Sequence, residues 1–131
     1  MVVKSNFPWD LAVENRNGQI SLIAEVKSKT NVSSEWATKF RRNLMTHYTF
    51  PDAPYFLMVF PETIYLWIDH HKNTKDYSEP NYIIDAKSIF QPYFERAEIK
   101  NTLISEHSFQ LIVASWLWEL IINAENRPEN I

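Results

Sequence analysis

The chain has no cysteine and only one glycine among its 131 residues. The lack of cysteine excludes disulfide bonds, thiolate metal sites and a cysteine nucleophile. With Gly18 alone, the chain cannot form a glycine-rich phosphate loop of the Walker or dinucleotide-binding type. No apolar run reaches membrane-spanning length and no signal-like leader opens the chain, so we expect a cytoplasmic protein.

Aromatic side chains are abundant by contrast: Phe, Tyr and Trp make up 15% of the residues, and 45% are hydrophobic. This composition is typical of a globular protein, and the length suits one core rather than two, so we expect a single domain over residues 1–131. The net charge of −3 lacks the basic excess of most nucleic-acid-binding proteins. Any contact with nucleic acid would therefore depend on a local basic patch.

The dipeptide Asn17-Gly18 stands between two runs of strand-like composition. It is the strongest short-range signal for a β-hairpin with a two-residue type I′ loop. In such a hairpin Asp10 lies directly opposite Glu25 on the same side of the sheet. Like charges in this position are destabilising, so the pair indicates that a divalent cation is held between them.

Hydrophobic periodicity predicts an α/β (α+β) fold, with a mixed central β-sheet flanked by helices. Strands are expected at about 9–15, 19–29, 55–60 and 63–68, and helices at about 33–47, 86–96 and 108–124. The run 55–60 is apolar throughout, which is typical of a central strand covered on both faces. Ser33 or Ser34 would cap the first helix, whose buried stripe would be Trp36, Phe40 and Leu44. The polar stretch 69–81, with His70 and His71, reads as a long flexible loop rather than a metal site.

An Asp in one strand, Glu-x-Lys in the next, then a helix and an apolar strand resemble the core of the PD-(D/E)XK nuclease superfamily, including its small stand-alone bacterial members. The likeness covers about residues 5–68 and rests on Pro8-Trp9-Asp10, on Glu25-Val26-Lys27 and on the helix with Trp36, Lys39, Arg41 and Arg42. It implies a restriction-endonuclease-like fold and hydrolysis of phosphodiester bonds with Mg²⁺ or Mn²⁺.

The resemblance implies that Asp10, Glu25 and the carbonyl group of Val26 hold the metal ion. Oxygen ligands of this kind suit Mg²⁺, which keeps several of its waters. Lys27 would complete a catalytic trio with Asp10 and Glu25, by orienting the attacking water or by stabilising charge in the transition state. The alternative is an ordinary strand-end cluster, in which Lys27 neutralises one carboxylate diagonally.

Three further basic residues, Lys29, Lys39 and Arg42, are candidate phosphate contacts, with DNA expected rather than RNA. Solvated surface charge is the alternative interpretation, which the net charge favours slightly. The superfamily core usually starts with a helix that often bears another acidic residue, yet nine residues precede Asp10. That helix is absent, replaced by a C-terminal helix, or missing from a truncated chain.

Two further hypotheses concern the function and the partners of the chain. A catalytically inactive module that binds nucleic acid or protein is the alternative to a nuclease. The segment 109–122 is apolar nearly all round, so it is buried in the chain or against a partner, and we expect a homodimer through this C-terminal helix.

Overall fold

A computed structural model describes residues 2–6, 8–68, 79–100 and 104–125 of the chain, of which 4–6 are described in their backbone only. The predicted polar stretch 69–81 therefore lies largely outside the described residues. Six strands and three helices are present in the order β1 (Val2–Asn6), β2 (Trp9–Glu14), β3 (Ile20–Val26), α1 (Ser34–His47), β4 (Tyr55–Val59), β5 (Thr63–Ile68), β6 (Tyr82–Asp85), α2 (Lys87–Ala97) and α3 (Glu106–Glu125).

The six strands form one mixed sheet in which their spatial order is their order along the chain. All neighbouring strands are antiparallel except β3 and β4, which run parallel. A parallel pair needs a crossover connection, and α1 supplies it. The mixed sheet with flanking helices confirms the predicted α+β class.

The hairpin between β2 and β3 corrects the predicted loop. Asn15 and Gln19 are its closing pair, joined by a 2.8 Å bond from the Asn15 N–H to the Gln19 carbonyl, so the loop has three residues rather than two. The Gly18 N–H donates to the Asn15 carbonyl at 3.1 Å, and Gly18 has a φ of +77°. This is a turn followed by a left-handed glycine, a common three-residue hairpin. The Asn15 side chain selects it by accepting bonds from the N–H groups of Asn17 (2.9 Å) and Gln19 (3.0 Å).

A β-bulge then restores the register that the longer loop would have changed. Glu14 pairs with Ile20, whereas Val13 pairs with Leu22, so Ser21 is an extra residue in β3. Its hydroxyl donates to the Val13 carbonyl at 3.2 Å. Without this bulge every later side chain of β3 would face the other side of the sheet relative to β2. The extra loop residue and the bulge compensate for each other, so the predicted facing of Asp10 and Glu25 is confirmed although the predicted loop is wrong.

Both faces of the sheet are covered, as the apolar run of β4 predicted. On one face α1 packs over a cluster rich in aromatic residues, with Ile23, Phe50, Phe56, Met58, Phe60, Tyr65 and Trp67 at its centre. On the other face α2 and α3 cover a second cluster, including Ala24, Val26, Val59, Ile64, Phe90, Phe109, Val113 and Leu117. The sheet is therefore the middle layer of three.

The helices agree with the expected positions, with one correction to burial. Ser33 caps α1, its hydroxyl accepting the Trp36 N–H at 3.1 Å. The buried residues of α1 are Ala37, Thr38 and Arg41. The predicted stripe of Trp36, Phe40 and Leu44 is only partly buried, because it lies at the border of the helix–sheet contact.

The first and last strands were not predicted from the sequence. Residues 2–6 form strand β1 rather than a helix. Helix α3 packs against β1, β2 and β3, on the face of the sheet opposite α1. In the part of the chain that is described, none of the helices combines the length and the apolarity that crossing a membrane would need.

Candidate metal and nucleic-acid site

Asp10 and Glu25 meet on the face of the sheet that α1 covers. Leu11 pairs with Ala24, so the next two positions, Asp10 and Glu25, lie opposite each other near the ends of β2 and β3. The Asp10 Oδ2 atom accepts the N–H of Val26 at 2.8 Å. This bond occupies the Val26 N–H at the end of β3 and holds the Asp10 carboxyl group against that strand.

The Glu25 side chain is buried, with 3% of its surface exposed. The pKa of Glu25 is raised from 4.5 to about 9. Burial is the main cause, and the charge of Asp10 and a side-chain hydrogen bond with Asp10 act in the same direction. Lys27 and a backbone hydrogen bond from Asp10 act in the opposite direction. At neutral pH Glu25 therefore keeps its proton, chiefly because burial disfavours the charged form and also because the Asp10 charge lies beside it.

The donor set of this pair fits a hard divalent cation. The Glu25 Oε1 atom is buried and has no hydrogen-bond partner, which is costly for a polar atom out of contact with water. A cation bound between the carboxyl groups would satisfy that atom and replace the proton on Glu25. Among the described residues no cluster of three or more His, Cys, Asp or Glu side chains is arranged to hold a metal. The remaining ligands would accordingly be backbone oxygen, water or substrate, which is the manner in which Mg²⁺ is commonly bound.

Two lysines extend from the carboxyl pair along the same chain segment. Lys27 continues the strand, since its N–H donates to the Val59 carbonyl at 3.0 Å. Its Nζ atom lies 5.1 Å from the ring centre of Phe40, and the Nζ atom of Lys29 lies 4.6 Å from that of Trp36. Both distances are within cation–π range. The rings of α1 therefore hold both ammonium groups on the side of the sheet where Glu25 lies.

The two other predicted phosphate contacts are placed differently. Lys39 and Arg42 are exposed. Helical spacing puts Lys39 on the side of α1 opposite the buried residues Ala37 and Arg41, and therefore away from the sheet and the carboxyl pair. Arg42 lies at the flank of the helix, four residues after the buried Thr38.

Sequence reasoning missed two features of this region. Trp36 and Phe40 were interpreted as core residues, although their spacing of four beside a lysine-bearing strand could also have indicated an aromatic support for these lysines. Gln110 of α3 donates to the Asp10 carbonyl at 3.2 Å. Nothing local in the sequence indicates that contact, because it joins residues 100 positions apart.

Comparison with models of known protein families, with curated proteins and with solved structures finds no match. The resemblance to the PD-(D/E)XK superfamily therefore rests on the motif and its position in the chain alone.

Proposed function

We propose that the protein is a Mg²⁺- or Mn²⁺-dependent nuclease that hydrolyses phosphodiester bonds of nucleic acid at Asp10, Glu25 and Lys27. The observation that supports this most is the buried carboxyl pair, with an unpartnered oxygen on Glu25 and a lysine two residues further along the strand. A cytoplasmic location remains a prediction from the sequence.

The residues of the chain would share the work of hydrolysis. Asp10 and Glu25 would hold the cation, with Val26 fixing the orientation of Asp10 through its N–H. The bound cation would stabilise charge on the phosphate and promote ionisation of a water. The oxygen of that water would bond to phosphorus as the bond to the leaving oxygen breaks, with the water's proton passing to solvent and the leaving oxygen taking up a proton from solvent. The Lys27 ammonium group would stabilise the negative charge that develops on the phosphate oxygens.

Metal binding is the first test of this function. Isothermal titration with Mg²⁺ and Mn²⁺ should detect one site that releases about one proton per ion near pH 7, because the cation replaces the proton on Glu25. The released proton is measured by repeating the titration in buffers of different ionisation enthalpy. Asp10→Asn should abolish binding, whereas Glu106→Gln, which alters an exposed carboxyl group on α3, should leave it unchanged. Equal binding by the Asp10→Asn variant and the unaltered protein would overturn the site.

Catalysis is tested separately with Lys27→Met. We expect about a 100-fold or greater fall in the cleavage rate of a labelled oligonucleotide, with metal affinity largely retained, because removing one transition-state donor commonly has an effect of this size. A protein that binds the cation but shows no Asp10-dependent cleavage of DNA or RNA would instead be the non-catalytic binding module.

We further propose that the protein forms a homodimer through α3. The buried residues Phe109, Val113, Leu117 and Ile121 explain part of the apolarity of this helix within the chain. Leu111 and Trp118 remain exposed on another side of the helix, at 58% and 46%. Analytical ultracentrifugation should show a concentration-dependent dimer that Trp118→Glu dissociates. A monomer at every concentration would contradict the proposal.

A further inference from the structure

The two rings beneath the lysines, Trp36 and Phe40, stack on each other. Their ring centres are 5.1 Å apart and their planes are inclined by 10°. The edge-on contact of Trp36 with Phe60, at 6.0 Å, anchors the indole to the core. Both rings are only partly buried. The two rings therefore form a partly exposed stacked pair on the first turns of α1, with one lysine ammonium group over each ring.

The lysine over the indole is the more exposed of the two. The Lys29 side chain is exposed, whereas Lys27 is partly buried. A cation–π contact at an exposed position is weak, so another group can replace the ammonium on the ring. Lys29 can then move to a neighbouring anion while remaining tethered beside the indole. An ammonium group and an accessible indole side by side are the two groups that recognise a phosphate and an unpaired base.

Lys29 and Trp36 lie next to the carboxyl pair and Lys27 along one chain segment. Glu25, Lys27 and Lys29 are spaced by two residues, and their chain segment passes from the end of β3 to the start of α1. Lys27 lies over Phe40 and Lys29 over the adjacent Trp36. A strand bound at Glu25 and Lys27 would place its next nucleotide at Lys29 and Trp36.

We propose that Trp36 and Lys29 form a subsite for an unpaired nucleotide adjoining the phosphate at Asp10 and Glu25, so that the substrate is a single strand or a single-stranded end. The inference rests on the proposed nuclease function, which it deepens. The indole stacks on the base and Lys29 binds its phosphate. A base in a continuous duplex is already stacked and paired, so it cannot lie on the indole. The net charge of −3 agrees with a substrate held by a few local contacts rather than along a basic groove.

The test is binding of a fluorescent twelve-nucleotide single strand and of the matching duplex, measured by anisotropy in EDTA. The single strand should bind at least tenfold more tightly than the duplex. Trp36→Leu should weaken single-strand binding roughly tenfold, since one base–aromatic stack commonly has an effect of this size. Trp36→Phe should retain part of the affinity, because a smaller ring still stacks.

Matched controls separate the subsite from general effects. Tyr82→Leu removes an exposed aromatic ring on β6 and should leave binding unchanged. Lys29→Met should lower the slope of log K against log salt by about 0.7, the value for one phosphate contact on a single strand. Lys100→Met, at an exposed lysine after α2, should not. Equal losses for the Trp36 and Tyr82 variants, or duplex binding as tight as single-strand binding, would overturn the subsite.

The unaltered protein provides a readout that does not depend on the folding of any variant. Ultraviolet crosslinking to a single strand containing 5-iodouracil should attach the strand to Trp36 or Phe40, as mapped by mass spectrometry. Attachment only at other positions would refute the subsite. Strand binding is measured in EDTA and so does not depend on the metal. Absence of metal binding together with Trp36-dependent strand binding would therefore refute the nuclease function but not the subsite. Metal-dependent cleavage with no effect of Trp36→Leu on strand binding would refute the subsite but not the nuclease function.

Discussion

The two faces of the sheet bury different kinds of side chain. Under α2 and α3 the buried cluster is apolar, and rings pack edge to face, as Phe90 does with Phe109 at 5.3 Å and with Trp116 at 5.4 Å. The buried polar and charged residues of the described chain are Glu25, Thr38 and Arg41. Glu25 faces α1, and the other two belong to it.

Burial of charge on one face only is informative because it is costly. The Arg41 guanidinium group lies 5.5 Å from the ring centre of Phe56 and 5.0 Å from that of Trp67, within the aromatic cluster. Removing ionisable groups from water disfavours folding unless partners compensate. We infer that the α2/α3 face supplies most of the stability and that the α1 face retains polar groups for binding.

The largest loss expected from a single substitution concerns the apolar face. Phe90→Ala should lower the free energy of unfolding by about 3–5 kcal/mol, because the Phe90 ring is fully buried and its removal leaves a cavity. Phe40→Ala makes the same change on the α1 face and should cost roughly half as much, since the ring is only partly buried. Urea denaturation followed by circular dichroism measures both. Equal losses would remove the proposed division between the faces.

The next effect concerns the buried carboxyl group of the α1 face. The folded pKa of Glu25 is about 9, above its ordinary 4.5. Between these two values the folded chain holds a proton that the unfolded chain has released, so stability should fall as pH rises, by at most about 1.4 kcal/mol per pH unit. The fall should be absent below pH 4.5 and complete above about pH 9.

Glu25→Gln provides the control for this pH dependence. The amide resembles the protonated carboxyl group, so the variant should be more stable than the unaltered protein at pH 8 and should lose most of the slope. Thermal unfolding in EDTA between pH 5 and 9 measures this. Addition of Mg²⁺ should stabilise the unaltered protein increasingly at higher pH and leave Glu25→Gln nearly unchanged. Parallel stability profiles for the two proteins would contradict the assignment.

The smallest effect concerns the loop that helps to bring Asp10 and Glu25 to the same face. Gly18 has a φ of +77° and a side chain there would meet no atom within 4 Å. The cost of Gly18→Ala should therefore be conformational, about 1–2 kcal/mol, and Gly18→Asn should cost less because Asn adopts left-handed conformations more easily. Chemical denaturation resolves the two variants. A larger loss for Asn than for Ala would show that the loop is held by other contacts.

The sequence allowed the carboxyl pair to be predicted because its signals are local. Alternating side chains and one Asn-Gly sequence placed Asp10 opposite Glu25. The predicted loop was nevertheless one residue too short, and the bulge at Ser21 corrected the register. Asn15 three residues before Gly18 was the available signal, since Asn and Gly are favoured at the first and last positions of a type I turn. The bulge has no comparable local signal.

The two edge strands and the contacts between the aromatic rings and the lysines were harder to predict. β1 and β6 are short and lie at the two edges of the sheet, so each is defined by a neighbouring strand more than by its own pattern. Trp36 and Phe40 fit a core stripe by spacing alone. Their partial exposure and their contacts with Lys27 and Lys29 depend on the path of the chain from β3 to α1.

The sequence by itself determined the α+β class and the positions of the three helices, which follow from periodicity acting over a few residues. The facing of Asp10 and Glu25 depends in addition on the bulge at Ser21, which only the structure shows. Only the tertiary structure decided that Glu25 is buried beneath α1, that its pKa is raised, and that aromatic rings hold the two lysines beside it. Desolvation and ring contacts are sums over atoms from distant segments, and folding alone brings those segments together.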